Sequence, residues 1–137
     1  MSSRDGISVE VVASADAPKA IGPYSQAIRV TGALATQYFS GQIGLDPKTG
    51  TMVEGGVENE AQQVLENLAS VAKAGGLTLR NVVRTTIYLT DLSDFERVNA
   101  IYERYFPAPS PARVTIGVAA LPRGGRVEID AIAVGPT

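Results

Sequence analysis

Apolar and polar positions alternate in several short stretches of this chain and recur at helical spacing in two longer ones. Residues 9–14 carry a short apolar alternation that predicts a strand. Residues 17–24, APKAIGPY, are rich in turn formers and predict a loop. Residues 27–31 and 37–43 read as two further strands, with Gly32 as a turn and Gly41 as a bulge or a close backbone approach. The segment 45–50, LDPKTG, has loop chemistry. From 57 to 74 the residues Val57, Ala61, Val64, Leu65, Leu68, Val71 and Ala72 fall on one helical face. Gly75 and Gly76 close that helix with a left-handed cap. The β-branched run 81–90 predicts a fourth strand. Ser93 and Glu96 form a capping box that opens a second helix, reaching to about residue 106 with Phe95, Val98, Tyr102 and Tyr105 inward. Pro107, Pro109 and Pro111 end it.

Residues 110–134 predict two last strands joined by a Pro/Gly turn at 119–125. Val114, Ile116 and Val118 point one way, and Arg113, Thr115 and Gly117 the other. Val127, Ile129, Ala131 and Ala133 share one face, and Glu128 and Asp130 share the opposite one. Pairing the two strands as a hairpin, apolar face to apolar face, puts Arg113 and Glu128 on one surface as direct or diagonal neighbours. Such a pair is either a carboxylate clamp beside a water-activating base or a cross-strand salt bridge on a solvated face. Spacing alone favours the salt bridge. The element order is βββαβαββ, an α+β layer with two helices on one face of a six-stranded, mostly antiparallel sheet. The other face then carries Arg113, Thr115, Glu128 and Ser40, and a mixed surface of that kind calls for a partner subunit.

At 137 residues, 45% of them hydrophobic, the chain is long enough for one domain with one core. The net charge is −2 and the 12 Lys and Arg residues are scattered, which argues against a nucleic-acid surface. No apolar run approaches the ~20 residues of a membrane span, and the polar N-terminus lacks a signal-peptide core, so no membrane partner and a cytoplasmic location are expected. The chain contains no Cys and no His. Thiolate and imidazole chemistry are therefore excluded, and any general acid or base must be a carboxylate, a Lys or a Tyr. There is no Walker A motif, no G-x-G-x-x-G and no acidic cation loop, so neither cofactor nor metal is expected.

GPYSQA at 22–27, FSGQIG at 39–44, DPKTG at 46–50, VNAIYERYF at 98–106 and PARVTIGVAALPRGGRVEIDAIAV at 111–134 occur in a fixed order. With these motifs the chain closely resembles the Rid family of reactive intermediate deaminases, also called YjgF or L-PSP proteins, over nearly its whole length from about Val9. The resemblance implies a chorismate-mutase-like α+β protomer and a homotrimer with ligand clefts between adjacent subunits. It also implies cofactor-independent hydrolysis of 2-aminoacrylate and related enamine or imine acids to 2-oxoacids and ammonia. By motif, Arg113 would grip the substrate carboxylate and Glu128 would activate water. Tyr24 and Ser40 match polar site residues, and Gly41 lies on the strand lining the cleft. Thr115 stands where many deaminases have Cys, which keeps a backbone contact with the ligand and changes the side chain. Gly117 stands where many have an acid. Residues 1–8 read as an extension of the single domain 1–137.

Taken without the resemblance, Tyr24 reads as a surface-packed loop tyrosine and Ser40 as an ordinary strand serine. Asn99 reads as a packing or capping contact, and Tyr102, Tyr105 and Phe106 as core. Asp130 is the rival base, or a neutralising partner for Arg113 or Arg126. Two other functions share the same residues. One is a non-catalytic module that binds 2-oxoacids through Arg113. The other is an L-PSP-type endoribonuclease, disfavoured by the scattered cations and the missing His.

Overall fold

The structure is a computed structural model that describes residues 3–4, 6–32 and 34–136. Its elements run β1 (Ser3–Arg4), β2 (Ile7–Val12), β3 (Ala27–Thr31), β4 (Ala35–Gln42), α1 (Val57–Ala74), β5 (Val82–Leu89), α2 (Phe95–Tyr105), β6 (Ala112–Gly117) and β7 (Val127–Gly135). The first three strands form an antiparallel sheet of their own, and the other four form a second sheet in the order β4-β7-β5-β6. The α+β architecture is as expected, with both helices packed on one face of the four-stranded sheet. The single six-stranded sheet is not. Among the described residues the strands divide three and four, and β5 and β6 run parallel. Residues 3–4, 7 and 8, expected in an extension, lie in β1 and β2, and Ile7 is buried. Residues 1, 2 and 5 of that segment lie outside the described residues.

Both helices owe their ends to local chemistry. Glu58 and Glu60 sit in the first turn of α1 and Lys73 in its last, each favourable to the helix dipole. Gly76 takes φ +78°, and the N–H groups of Gly76 and Leu77 donate to Lys73 and Ala72, so the glycine pair closes α1 as a Schellman cap. The capping box expected at Ser93 does not form. Asp91 instead accepts from the N–H of Ser93 at 2.9 Å and from its hydroxyl at 2.7 Å, starting a 3₁₀ turn that leads into α2. Ser93 thus lies inside that turn, Leu92–Asp94, and Asp94 takes the N-cap position of α2.

The core lies between α1, α2 and the helix-facing side of the four-stranded sheet. Val64, Leu65, Leu68, Val98, Ile87 and Ile129 are fully buried there. Apolar burial of this kind stabilises by about 1.5–3 kcal/mol per large side chain. One polar contact crosses it: the hydroxyls of Thr85 on β5 and Tyr102 on α2 lie 2.7 Å apart, so neither is left unsatisfied.

The expected hairpin of the last two strands is absent. β5, α2 and β6 form a crossover unit, which makes β6 the parallel neighbour of β5. The connection after β6 then carries the chain past the end of β5 to its other side. Val118 N–H donates to Leu89 on one flank, and Thr90 N–H donates to Arg126 on the other. β7 therefore pairs antiparallel with β5 and never with β6. Register rows run Arg113–Thr85–Ala131, Thr115–Ile87–Ile129 and Gly117–Leu89–Val127 on the helix side. On the open side they run Val114–Thr86–Asp130 and Ile116–Tyr88–Glu128. Arg113 and Thr115 are thus on the helix face, not with Glu128 and Ser40 on the open one. The apolar Val114 and Ile116 of β6 therefore face outward and are exposed, while Arg113 turns toward α2 and bonds Asn99 there.

Candidate active site

One cluster gathers around Arg113. The side chain is half-buried, and its guanidinium carbon lies 5.5 Å from the ring centre of Tyr24, 5.6 Å from that of Phe95 and 5.1 Å from that of Tyr102. Each ring offers its negative face to the cation. Arg113 Nη1 donates to Asn99 Oδ1 at 2.7 Å. Burial lowers the pKa of Arg113, and the oxygens of Tyr102 and Tyr24 act in the opposite direction. The group stays charged, because a guanidinium is not deprotonated in proteins. Among the described residues no carboxylate pairs with it; the ion pairs there belong to Arg97 and Arg126. Tyr24 reaches this place because Ser25 N–H donates to Pro111 at 3.1 Å and the Ser25 hydroxyl donates to the carbonyl of Ser110. These contacts dock the 22–25 loop beside the start of β6. Two residues along the strand from Arg113, the buried Thr115 Oγ1 has no hydrogen-bond partner among the described residues.

A second cluster lies on the open face. β4 carries a bulge between Phe39 and Gln42, which holds Ser40 and Gly41 next to β7. A Cβ added at Gly41 would overlap the Glu128 carboxylate, so the glycine is the space that the glutamate occupies. Ser40 is exposed and Glu128 half-buried. Tyr88 Oη donates to Asp130 Oδ2 at 2.8 Å. That bond raises the Tyr88 pKa, with burial and the Asp130 charge acting the same way. Asp130 is therefore engaged by a phenol. It neutralises neither Arg113, which is on the other face, nor Arg126, which pairs with Glu60.

The six sequence-predicted site residues thus fall into two groups, Tyr24, Arg113 and Thr115 on one side and Ser40, Gly41 and Glu128 on the other. Asn99 and Phe95 join the first group. Asn99 was expected as a packing or capping contact. Its place one turn after Phe95 and one turn before Tyr102, a lone amide in an apolar helical stripe, was the signal for a polar group aimed inward. Tyr102, expected as plain core, is both core and a wall of the arginine pocket. Among the described residues there is no group of three His, Cys, Asp or Glu side chains placed to hold a metal ion.

Chemically, the first cluster is suited to a planar anion, since a guanidinium fork matches a carboxylate. The second presents a carboxylate able to take a proton from water. Together they give an α+β protein whose candidate site residues lie on two surfaces of the protomer. The family described as Endoribonuclease L-PSP matches residues 14–135, and the chain belongs to this family, also called YjgF or Rid. Protein DfrA of Myxococcus xanthus is 57% identical over 125 residues, covering 91% of this chain and 95% of that protein. The 2-iminobutanoate/2-iminopropanoate deaminase of Homo sapiens is 52% identical over 124 residues, covering 90% of this chain and 88% of that protein. The crystal structure of RidA from an Antarctic Psychrobacter matches with a TM-score of 0.70 at 43% identity, covering 90% of this chain and 98% of the other.

Proposed function

We propose that this protein hydrolyses small 2-imino acids and their enamine tautomers to 2-oxoacids and ammonia. The observation that carries the reading is Arg113, a half-buried cation with an aromatic surround, an amide partner and no carboxylate of its own among the described residues. Such a group is costly to bury, and a ligand carboxylate would compensate it. The likeness to proteins named 2-iminobutanoate/2-iminopropanoate deaminase supports the same chemistry.

In the proposed reaction Arg113 holds the substrate carboxylate and Tyr24 closes over it. Glu128 takes a proton from water as the water oxygen bonds to the imine carbon, giving a carbinolamine. That proton passes from Glu128 to the nitrogen, completing the carbinolamine; its hydroxyl then gives a proton through Glu128 to the same nitrogen, the C–N bond breaks as ammonia leaves with the bonding pair, and the oxygen becomes the carbonyl of the 2-oxoacid. Imine plus water gives 2-oxoacid plus ammonia, with no redox change and no cofactor. Thr115, whose Oγ1 is buried, would meet the ligand through its backbone on the edge strand β6.

Arg113 and Glu128 face opposite sides of one sheet, so a single protomer does not bring both to one substrate. The proposed site takes Arg113 from one copy and Glu128, Ser40 and Gly41 from the next. Joining two different surfaces of successive copies is a head-to-tail contact, which closes as a ring when the rotation between copies allows it. This supports the homotrimer, with the open face as its contact surface. That face exposes Tyr38, Val114 and Ile116.

The test is an assay in which a dehydratase generates 2-aminoacrylate, with release of 2-oxoacid followed beside calorimetry of pyruvate binding. Wild-type protein is expected to accelerate release, and Glu128→Gln to lose ~10²–10⁴ of that rate while still binding pyruvate. Tight binding with no turnover by the wild type would make the protein a 2-oxoacid sensor. RNA cleavage abolished by Arg113→Ala, with no imine turnover, would favour the endoribonuclease of the family's description.

A further inference from the structure

Glu60 is a charged group that the reaction does not use, yet its side chain is only 1% exposed. It lies in the first turn of α1 and reaches across to the segment that leads into β7. Its Oε1 accepts from the backbone N–H of Arg126 at 2.8 Å, and its Oε2 accepts from Arg126 Nη1 at 2.6 Å. Arg126 stands two residues before Glu128, and its carbonyl accepts from Thr90 N–H at the end of β5. On the other side of Glu60 lies Gly44, three residues beyond Gly41. A Cβ added at Gly44 would come within 2.9 Å of Glu60 Cα and 3.0 Å of its Cβ and Cγ, so the chain leaving β4 is seated directly on Glu60.

One buried side chain therefore ties α1 to the exit of β4 and the entrance of β7. Those are the two strands that set Gly41 against Glu128. A buried ion pair is a weak device for stability, because apolar residues of the same volume often do as well. What it supplies is direction: one of its two bonds fixes a backbone amide, not only a mobile side chain. We propose that Glu60 is a positioning residue that holds the Glu128 carboxylate in register with Gly41. The proposal rests on the deaminase reading for its kinetic consequences, and not for its structural one.

The experiment is a double-mutant cycle between Glu60→Leu and Glu128→Gln, read by kcat for imine hydrolysis, by pyruvate Kd and by a crystal structure of Glu60→Leu. Since displacement of a base by about 1 Å costs on the order of a hundredfold, Glu60→Leu is expected to lower kcat at least about tenfold. Pyruvate Kd, which reads Arg113, should stay within about twofold of wild type, and on the Glu128→Gln background Glu60→Leu should remove nothing more. Glu60→Gln, which keeps an acceptor for the Arg126 amide, should recover most of kcat. Equal losses on both backgrounds, or a fall in kcat accompanied by a matching rise in Kd, would reduce Glu60 to a structural group and overturn the proposal. If Glu60→Leu does not fold, Glu60→Gln goes through the same cycle, where a partial loss confined to the wild-type background supports the proposal and any other pattern overturns it. If wild-type protein turns over no imine, the deaminase reading fails by itself. The crystal structures of wild type and of the Glu60 variant that folds then decide: a shifted Glu128 carboxylate supports positioning, and an unmoved one overturns it.

Discussion

Arg113 Nη1 donates to Asn99 Oδ1 at 2.7 Å, and this bond sets the plane of the guanidinium among the three rings around it. An amide at that place is a neutral acceptor, which orients the arginine without satisfying its charge. Asn99→Ala should weaken pyruvate binding by roughly 1–2 kcal/mol, the worth of one hydrogen bond to a charged group. Asn99→Asp should weaken it more, because the new carboxylate would occupy the fork in place of the ligand. Calorimetry ranks the two, and an Asp variant that binds as tightly as wild type would remove Arg113 from anion recognition.

Arg113→Lys should rescue poorly. A point charge offers no parallel pair of N–H groups, and the loss of binding should be ~2–4 kcal/mol. Full activity in the Lys variant would mean that charge alone is enough.

Gly41→Ala should act on the rate and not on the fold. Gly41 is not among the glycines at positive φ, so alanine brings no backbone strain. Its Cβ would enter the space of the Glu128 carboxylate and push it aside. A fall in kcat of at least about tenfold is expected, with the melting temperature little changed. Unaltered kcat would show that the position of Glu128 over this glycine is irrelevant to turnover.

The proposed division of the site between copies has its own signature. Arg113→Ala and Glu128→Gln chains should each be nearly inactive alone. Unfolded together in equal amounts and refolded, they should regain about a quarter of wild-type activity, because random assembly gives that share of sites both intact halves. Sedimentation should show a trimer before and after. A mixture as inactive as its parts would place both residues in one copy's site.

Tyr102 gives the protein an alkaline weakness. Its hydroxyl is fully enclosed, and burial pushes the pKa up to about 12, with the Thr85 hydrogen bond and the Arg113 charge acting the other way. Below pH 10 the tyrosine is neutral folded and unfolded, so its contribution is intact. Between pH 10 and about 12 the unfolded chain ionises and the folded one does not, so stability falls as pH rises, by roughly 2–3 kcal/mol in all. Tyr102→Phe should be less stable at pH 8, having left the Thr85 hydroxyl unpaired, and should lose less than wild type on going to pH 11. Urea midpoints at the two pH values check it, and parallel losses would assign the alkaline transition to other groups.

The local chemistry of the chain was legible without any tertiary information. The apolar stripe of 57–74 and its glycine pair determine α1 and its cap, because helical spacing and left-handed backbone are properties of neighbouring residues. The alternations in 112–117 and 127–135 determine two strands and which residues share a face within each. Motif order was enough for the family. Asn99 and Glu60 were harder to place. An amide in an apolar stripe and an acid at the start of a helix each have many ordinary explanations, and only the partner found in space selects among them.

What the tertiary structure alone decided is the relation between Arg113 and Glu128. Period-two alternation fixes parity inside a strand, and matching apolar faces fixes it between strands only if those strands are neighbours. Here α2 returns the chain beside β5 in parallel, and the connection after β6 crosses the end of β5. β5 thus stands between the two, and β6 turns its arginine, threonine and glycine to the helices and its valine and isoleucine outward. Strand order is set by the packing of a helix layer over the whole sheet. That packing sums contacts between residues far apart in the chain, which no local pattern of apolar and polar positions encodes.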